Sequence, residues 1–270
     1  MTNKEITQNS LKQVKDLLDD VQAMTGEEFM KILDSMAQFH EYSFSNQMIL
    51  CFHDCSQVAG YKKWQELERR VKKGAKAVWI LAPYLRKEKV KVKNGEGTEE
   101  EKEEKRLKGF YSVPVFDIRD TEGKEIKRGI TTKARLNFSQ VKDFAEKSGF
   151  TVELSPMKIS MGGGISDHTI GINSNLNEAE NTGTLVHELA HGLLNHSNGN
   201  GKAISSTLKE QQAETATYLV CKALGIERKS KFYLKSWGLS ENILKDFQKL
   251  DKVARKIIQG LIKQEEGKNG

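Results

Sequence analysis

Thr184-Leu185-Val186-His187-Glu188-Leu189-Ala190-His191-Gly192-Leu193-Leu194 places a His-Glu-x-x-His pentad inside an apolar helical run. Four residues of α-helix turn about 400° and rise about 6 Å, so His187 and His191 share one face, one turn apart, and can hold a single tetrahedral ion. Glu188 lies beside them. A divalent ion draws the pKa of the water it holds toward about 7, and a neighbouring carboxylate can take the proton as that water attacks a carbonyl. Without an ion, the flanking leucines and valine would bury two imidazoles and a carboxylate that each need a polar partner. The pentad is therefore expected to be a metal site with Glu188 as catalytic base and Zn2+ as the ion, other divalent metals being alternatives.

A catalytic zinc site needs a third protein ligand and an open position. The next helical segment, Lys209-Glu210-Gln211-Gln212-Ala213-Glu214-Thr215-Ala216-Thr217-Tyr218, offers two carboxylates at i and i+4, on one face. Glu210 follows His191 by 19 residues, enough for a loop and an antiparallel return. One carboxylate can bind the ion while the other accepts the remaining ring N–H of a ligand histidine. Glu210 is assigned as the ligand and Glu214 as the supporting group, with the reverse assignment left open. His196 is expected to point off the end of the metal helix, and His168 to be a solvent-facing turn histidine.

Outward from this core, helices are expected over about 178–195, 206–224 and 240–264, the last with Ser240 as N-cap. Upstream, Asn137 to Ser148 reads as a helix, Thr151-Val152-Glu153-Leu154 as a strand, and Met161 to Asn173 as a glycine-rich turn leading into a hairpin. The N-terminal half begins with two helices. Leu11, Val14, Leu17, Leu18 and Val21 mark the first; a Thr25/Glu28 capping box followed by Phe29, Ile32, Leu33, Met36 and Phe39 marks the second. A short helix from Ser45 to about Asp54 follows. Residues 75–83 and 109–118 read as strands of a hairpin whose elaborated tip, 86–108, holds nine basic and seven acidic residues. Within the tip, Lys89 to Lys93 alternates like an exposed strand, while Glu99 to Glu104 reads as a solvated helix or disorder. The fold class is α+β in two domains, 1–135 and 136–270, joined by a linker near 129–136.

The chain of 270 residues carries a net charge of +6, and residues 62–76 alone hold seven basic against two acidic side chains. Lys62, Lys63, Arg69, Arg70, Lys72, Lys73 and Lys76 are interleaved with Tyr61, Trp64 and Trp79. Cations that track phosphates beside aromatic faces that stack bases suit single-stranded nucleic acid, so these cations and Trp64 are the candidate nucleic-acid-binding residues. No apolar run approaches the ~20 residues of a membrane span, and the N-terminus has no signal-like apolar core. Three cysteines, Cys51, Cys55 and Cys221, do not make a disulfide scaffold and are expected to be packing thiols in a reducing compartment. A cytoplasmic protein without a membrane partner is expected.

Several words in the chain, in order, resemble ArdC-type antirestriction proteins: Tyr42 to Leu50, Gly60-Tyr61-Lys62-Lys63-Trp64, Val71 to Pro83 and Val115-Phe116-Asp117-Ile118, then Leu185 to His191, Glu210 to Tyr218, Cys221 to Ile226 and Tyr233 to Trp237. The resemblance implies an N-terminal domain that binds single-stranded DNA and protects DNA entering on mobile elements from restriction. It also implies a zincin-like metallopeptidase domain akin to SprT and IrrE-like proteins. Two departures stand out: the long charged insertion at 86–108, and Gln212 where the family often has an acid. The expected function is a DNA-targeted zinc peptidase that cleaves an unidentified DNA-associated protein, with Tyr218, Tyr233 or a histidine steadying the oxyanion. The alternatives are a strand-binding protection protein with a structural or inactive metal site, and an IrrE-like peptidase acting on a repressor.

Overall fold

The computed structural model describes residues 2–20, 25–93, 99–126, 136–158, 161–196, 204–226 and 246–267. It divides into two compact units, Met1–Leu17 with Met48–Ile126 and Leu18–Gln47 with Lys127–Gly270.

In the first unit, α1 (Asn3–Asp20) lies along a hairpin of β3 (Val78–Lys93) and β4 (Glu99–Asp117). Asn3 is the fastening point: its side chain donates to the Ser112 carbonyl at 2.8 Å and accepts from the Ser112 amide at 3.0 Å. The hairpin runs in antiparallel register from Val78 opposite Val115 to Lys93 opposite Glu99, with a bulge at Tyr84/Leu85. Residues 99–104 are therefore strand, which corrects the expectation of solvated helix or disorder. The register sets Lys89 opposite Glu103, Lys91 opposite Glu101 and Lys93 opposite Glu99. Opposite charges across an antiparallel ladder favour pairing, and Lys87 and Glu103 meet across this one at 3.1 Å.

At the base of the hairpin, β1 (Val58–Ala59) pairs with the end of β4, and α4 (Tyr61–Glu66) packs on the same strand. Trp64 of α4 is fully buried, and its Nε1 donates to the Phe116 carbonyl at 2.9 Å. A smaller ladder joins β2 (Arg69–Val71) to β5 (Thr121–Gly123). Gly123 sits at φ 132°, and a Cβ there would run into the Glu68 carbonyl, so only glycine fits opposite Arg69. The short helix expected from Ser45 is α3 (Phe44–Phe52).

The second unit is built on three strands in the order β6-β8-β7, with β6 (Thr151–Ser155) parallel to β8 (Thr169–Asn173) and β7 (Gly163–Ser166) antiparallel to it on the edge. Asn173, fully buried, holds the approach to β7 in place: its amide donates to the carbonyls of Lys158 and Met161 and its oxygen accepts from the Met157 amide. On the sheet pack α5 (Phe138–Lys147) and α6 (Glu178–Leu193); α7 (Ser206–Leu224) packs on α6, α8 (Phe247–Glu266) on α5 and α7, and α2 (Gly26–Gln38) on α7. The Thr25/Glu28 capping box starts α2 as expected. The expected start of the last helix, with Ser240, lies outside the described residues. Residues 18–47 group with this unit rather than with the rest of the first 135, because α2 turns Phe29, Ile32, Leu33 and Met36 inward and packs on α7. Phe29 also stacks on Phe247 of α8, with ring centres 5.6 Å apart.

Candidate metal centre

Asn177 opens α6 with a capping box to Glu180, and the helix buries Leu185, Val186, Leu189 and Ala190 completely. That apolar anchorage fixes the helix's rotation, and both histidines then face the same way. Their Nε2 atoms lie 3.1 Å apart. From α7, Glu210 brings one carboxylate oxygen to 3.3 Å from His187 Nε2 and the other to 3.4 Å from His191 Nε2. An ion with ligand bonds of about 2.0–2.1 Å at tetrahedral angles needs donors about 3.3–3.4 Å apart. The two Nε2 atoms are near that spacing and the Glu210 carboxylate straddles them, one oxygen toward each; the three residues, whose donor atoms lie within 4.8 Å of one another, are the donor cluster found among the described residues, called the triangle below.

Behind the triangle each histidine has a different partner. Glu214, buried, sets a carboxylate oxygen 2.9 Å from His187 Nδ1. His196 sets its Nδ1 2.9 Å from His191 Nδ1, and its own Nε2 is 2.8 Å from Gln212 Oε1. His196 does not point off the helix end, contrary to expectation. The helix closes with a Schellman turn: Asn195 adopts φ 59°, its amide donates to the Gly192 carbonyl, and the His196 amide donates to the His191 carbonyl. This turn folds the chain back so that the His196 ring meets the His191 ring, and burial pushes His196 down to about 4. Asn195, a residue tolerant of the left-handed region, was the available clue in the sequence.

The triangle opens on a cleft of about 390 Å³ whose walls include Glu188, Lys209 and the edge strand β7 through Gly163, Gly164 and Ile165. Glu188 is 9% exposed and sits on the cleft wall with the two histidines. His168 is exposed in the β7–β8 turn and borders a separate hollow with Phe150. Tyr218 is excluded as an oxyanion group, since its hydroxyl donates to Asp34 of α2. Tyr233 lies outside the described residues.

Of the candidate nucleic-acid residues, Lys62, Lys63, Arg70, Lys72, Lys73 and Lys76 are exposed. Lys63 pairs with Glu66 at 3.0 Å and Lys72 donates to the Arg119 carbonyl at 2.8 Å. Arg69 is half-buried and committed to Thr121, donating to its hydroxyl at 2.7 Å and its carbonyl at 3.1 Å. Trp64 cannot stack a base, because its ring has no exposed surface; the basic-aromatic pattern did not reveal which way it faces. The exposed aromatics nearby are Tyr61, and on the hairpin Tyr84, Phe110 and Tyr111, which the basic-aromatic pattern did not include. Among the described residues, no helix is long and apolar enough to cross a membrane.

Comparison with known proteins finds two family matches, in chain order. Residues 2–116 match the N-terminal domain of anti-restriction factor ArdC, and residues 145–224 match the IrrE N-terminal-like domain of the M78 peptidases. No curated protein matches significantly. Among solved structures, the chain is similar to the antirestriction protein ArdC from plasmid R388 in two forms. The metal-free form has 20% identity over 84% of this chain and 86% of that one, with a TM-score of 0.44. The Mn(II)-bound form has 16% identity over 94% and 97%, with a TM-score of 0.48. The chain thus joins, in order, a region similar to the N-terminal domain of anti-restriction factor ArdC and a region similar to the IrrE N-terminal-like domain of the M78 peptidases.

Proposed function

We propose that the chain binds single-stranded DNA through its N-terminal unit and hydrolyses a DNA-associated protein at the cleft of its C-terminal unit. The observation that carries the peptidase half is the donor cluster beside Glu188 in an open cleft: two Nε2 atoms 3.1 Å apart, with one Glu210 oxygen 3.3 Å from His187 and the other 3.4 Å from His191. His187 Nε2, His191 Nε2 and Glu210 would hold a divalent ion, and two imidazoles with one carboxylate suit Zn2+. When bound, that ion supplies a Lewis acid and acidified water.

The remaining work falls to the chain's own groups. Glu188 takes the proton of the attacking water and returns it to the leaving amine. Glu214, with a carboxylate oxygen 2.9 Å from His187 Nδ1, supports that ring from behind and favours the opposite nitrogen turned to the cluster. The edge strand β7 orients an extended peptide by strand pairing, and Gly164, where a Cβ would meet nothing within 4 Å, leaves room along it. In the N-terminal unit, the exposed Lys62, Arg70, Lys73 and Lys76 track phosphates. The match of residues 145–224 to the IrrE N-terminal-like domain favours, as a second reading, a regulatory peptidase acting on a repressor.

The test compares wild type with Glu188→Gln for bound metal, single-strand binding and protection of incoming DNA from restriction. The variant is expected to retain metal and DNA binding and to lose protection. Protection that persists at the wild-type level in a metal-loaded variant would overturn the peptidase reading and leave a strand-binding protein.

A further inference from the structure

We infer that His196, Gln212 and Asp246 form a positioning relay that fixes His191 as its Nδ1–H tautomer and so keeps a lone pair on Nε2, the atom facing the ion position. The inference rests on the proposed metal role of His191 and adds three residues that are not ligands.

The donor and acceptor capacity of each group sets the relay link by link. At the far end, Asp246 sets a carboxylate oxygen 2.5 Å from the Gln212 amide nitrogen. An ionised carboxylate only accepts, so the Gln212 NH2 group must face it, and the amide cannot turn over without setting oxygen against oxygen. That leaves Gln212 Oε1 pointing at His196 Nε2, 2.8 Å away. An amide oxygen also only accepts, so His196 Nε2 carries the hydrogen. In a neutral imidazole the other nitrogen is then an acceptor. That nitrogen, Nδ1, lies 2.9 Å from His191 Nδ1, which must donate. His191 is left with its lone pair on Nε2, 3.1 Å from His187 Nε2 and 3.4 Å from Glu210.

Geometry supports the relay beyond the distances. His191, His196 and Gln212 are all buried, so their polar atoms need these partners. The backbone that delivers His196 is equally fixed: the Schellman turn ties its amide to the His191 carbonyl, and Lys209 donates to its carbonyl at 2.6 Å. The side-chain contact that such a turn places between the third-last helical residue and the second residue beyond the cap is usually apolar. Here it is His191 against His196, with ring centres 5.0 Å apart. The two metal-facing histidines thus have different neighbours behind them, His187 a carboxylate oxygen of Glu214 at 2.9 Å and His191 a neutral imidazole backed by an amide. The relay also explains why an amide stands at Gln212. With Asp246 as its neighbour, a carboxylate at 212 would set two acids together.

The experiment uses the full-length chain. Long-range imidazole 1H–15N correlation spectra of the metal-free wild type are expected to show His191 as Nδ1–H and His196 as Nε2–H. Zn2+ titration is expected to show His196→Phe, which removes the acceptor, binding about 10–100-fold more weakly than wild type. His196→Asn, which puts an amide oxygen near the lost Nδ1, is expected to recover to within a few-fold. A His191 found as Nε2–H would overturn the relay. So would a folded His196→Phe that binds Zn2+ as tightly as wild type, or an Asn variant as impaired as the Phe variant. If His196→Phe fails to fold, the wild-type spectra alone decide. A wild type that binds no Zn2+ would remove the metal reading, and the tautomers, measured without metal, would still be read separately.

Discussion

Glu210 and Glu214 sit one turn apart on the same helix, yet they face opposite sides of His187. Glu210 reaches Nε2 and the cleft, while Glu214 is buried against Nδ1. Spacing along α7 could not separate them, since i and i+4 share a face, and only the packing of α7 on α6 decides which is nearer the triangle. The pentad itself was legible because its geometry is internal to one helix. The partner of His191 was not, because it depends on how the chain turns at Asn195. Glu214→Ala is expected to weaken Zn2+ binding about 10–100-fold while leaving the site able to fill, whereas Glu210→Ala is expected to cost more. Competition with a chromophoric chelator gives the ranking, and the reverse order would exchange the two roles. In the N-terminal unit, Asp117 offers a residue-scale test by pH. Burial pushes its carboxyl up, but donation from Arg119 and from the Ser56 amide at 2.6 Å outweighs burial and holds it below the usual value. A carboxylate depressed in the folded state stabilises fully above its unfolded pKa of about 3.9 and loses that contribution as pH falls through the folded value. Asp117→Ala is expected to lower stability by about 1–3 kcal/mol at pH 7. In urea melts, the gap from wild type should shrink as pH falls below about 4; a gap independent of pH would contradict the assignment.

Helices were read most fully at the element scale, because apolar periodicity and caps lie within one segment. The 206–224 helix has the expected bounds, and the Asn137 helix starts with a capping box to Gln140. Six consecutive charged residues at 99–104 carry no alternation to mark a strand; the pairing partner, 88–93, lies in another segment of the chain. Close helix packing was equally invisible. Gly260 of α8 lies against the Phe144 ring of α5, and a Cβ there would overlap it. Helix propensity alone favours alanine over glycine by about 1 kcal/mol, but overpacking costs about 1–3 kcal/mol. Gly260→Ala is therefore expected to lower the thermal midpoint despite its propensity gain, and a raised midpoint would show that the two helices can separate freely at that point.

Across the whole molecule, the charge is unevenly shared. Residues beyond 135 hold 17 basic and 15 acidic side chains, so most of the net +6 lies in the N-terminal half. Folding narrows the set that can meet a strand: Arg69 is committed within the fold, Trp64 is core, and the exposed Lys63 and Lys72 contact Glu66 and the Arg119 carbonyl, which puts Lys62, Arg70, Lys73 and Lys76 first among the exposed cations. Changing Arg70, Lys73 and Lys76 together to Gln in the full chain is expected to flatten the salt dependence of single-strand binding by up to about 2 in log–log slope, at about 0.7 per phosphate contact. An unchanged slope would move the DNA surface elsewhere, with the exposed hairpin aromatics Tyr84, Phe110 and Tyr111 next in line. The proposed peptidase activity depends first on the donor triangle, and Zn2+ stoichiometry by calorimetry tests it most directly. One ion per wild-type chain is expected, with none retained by His187→Ala/His191→Ala; a folded wild type that takes up no ion, or a double variant that takes up as much, would contradict it.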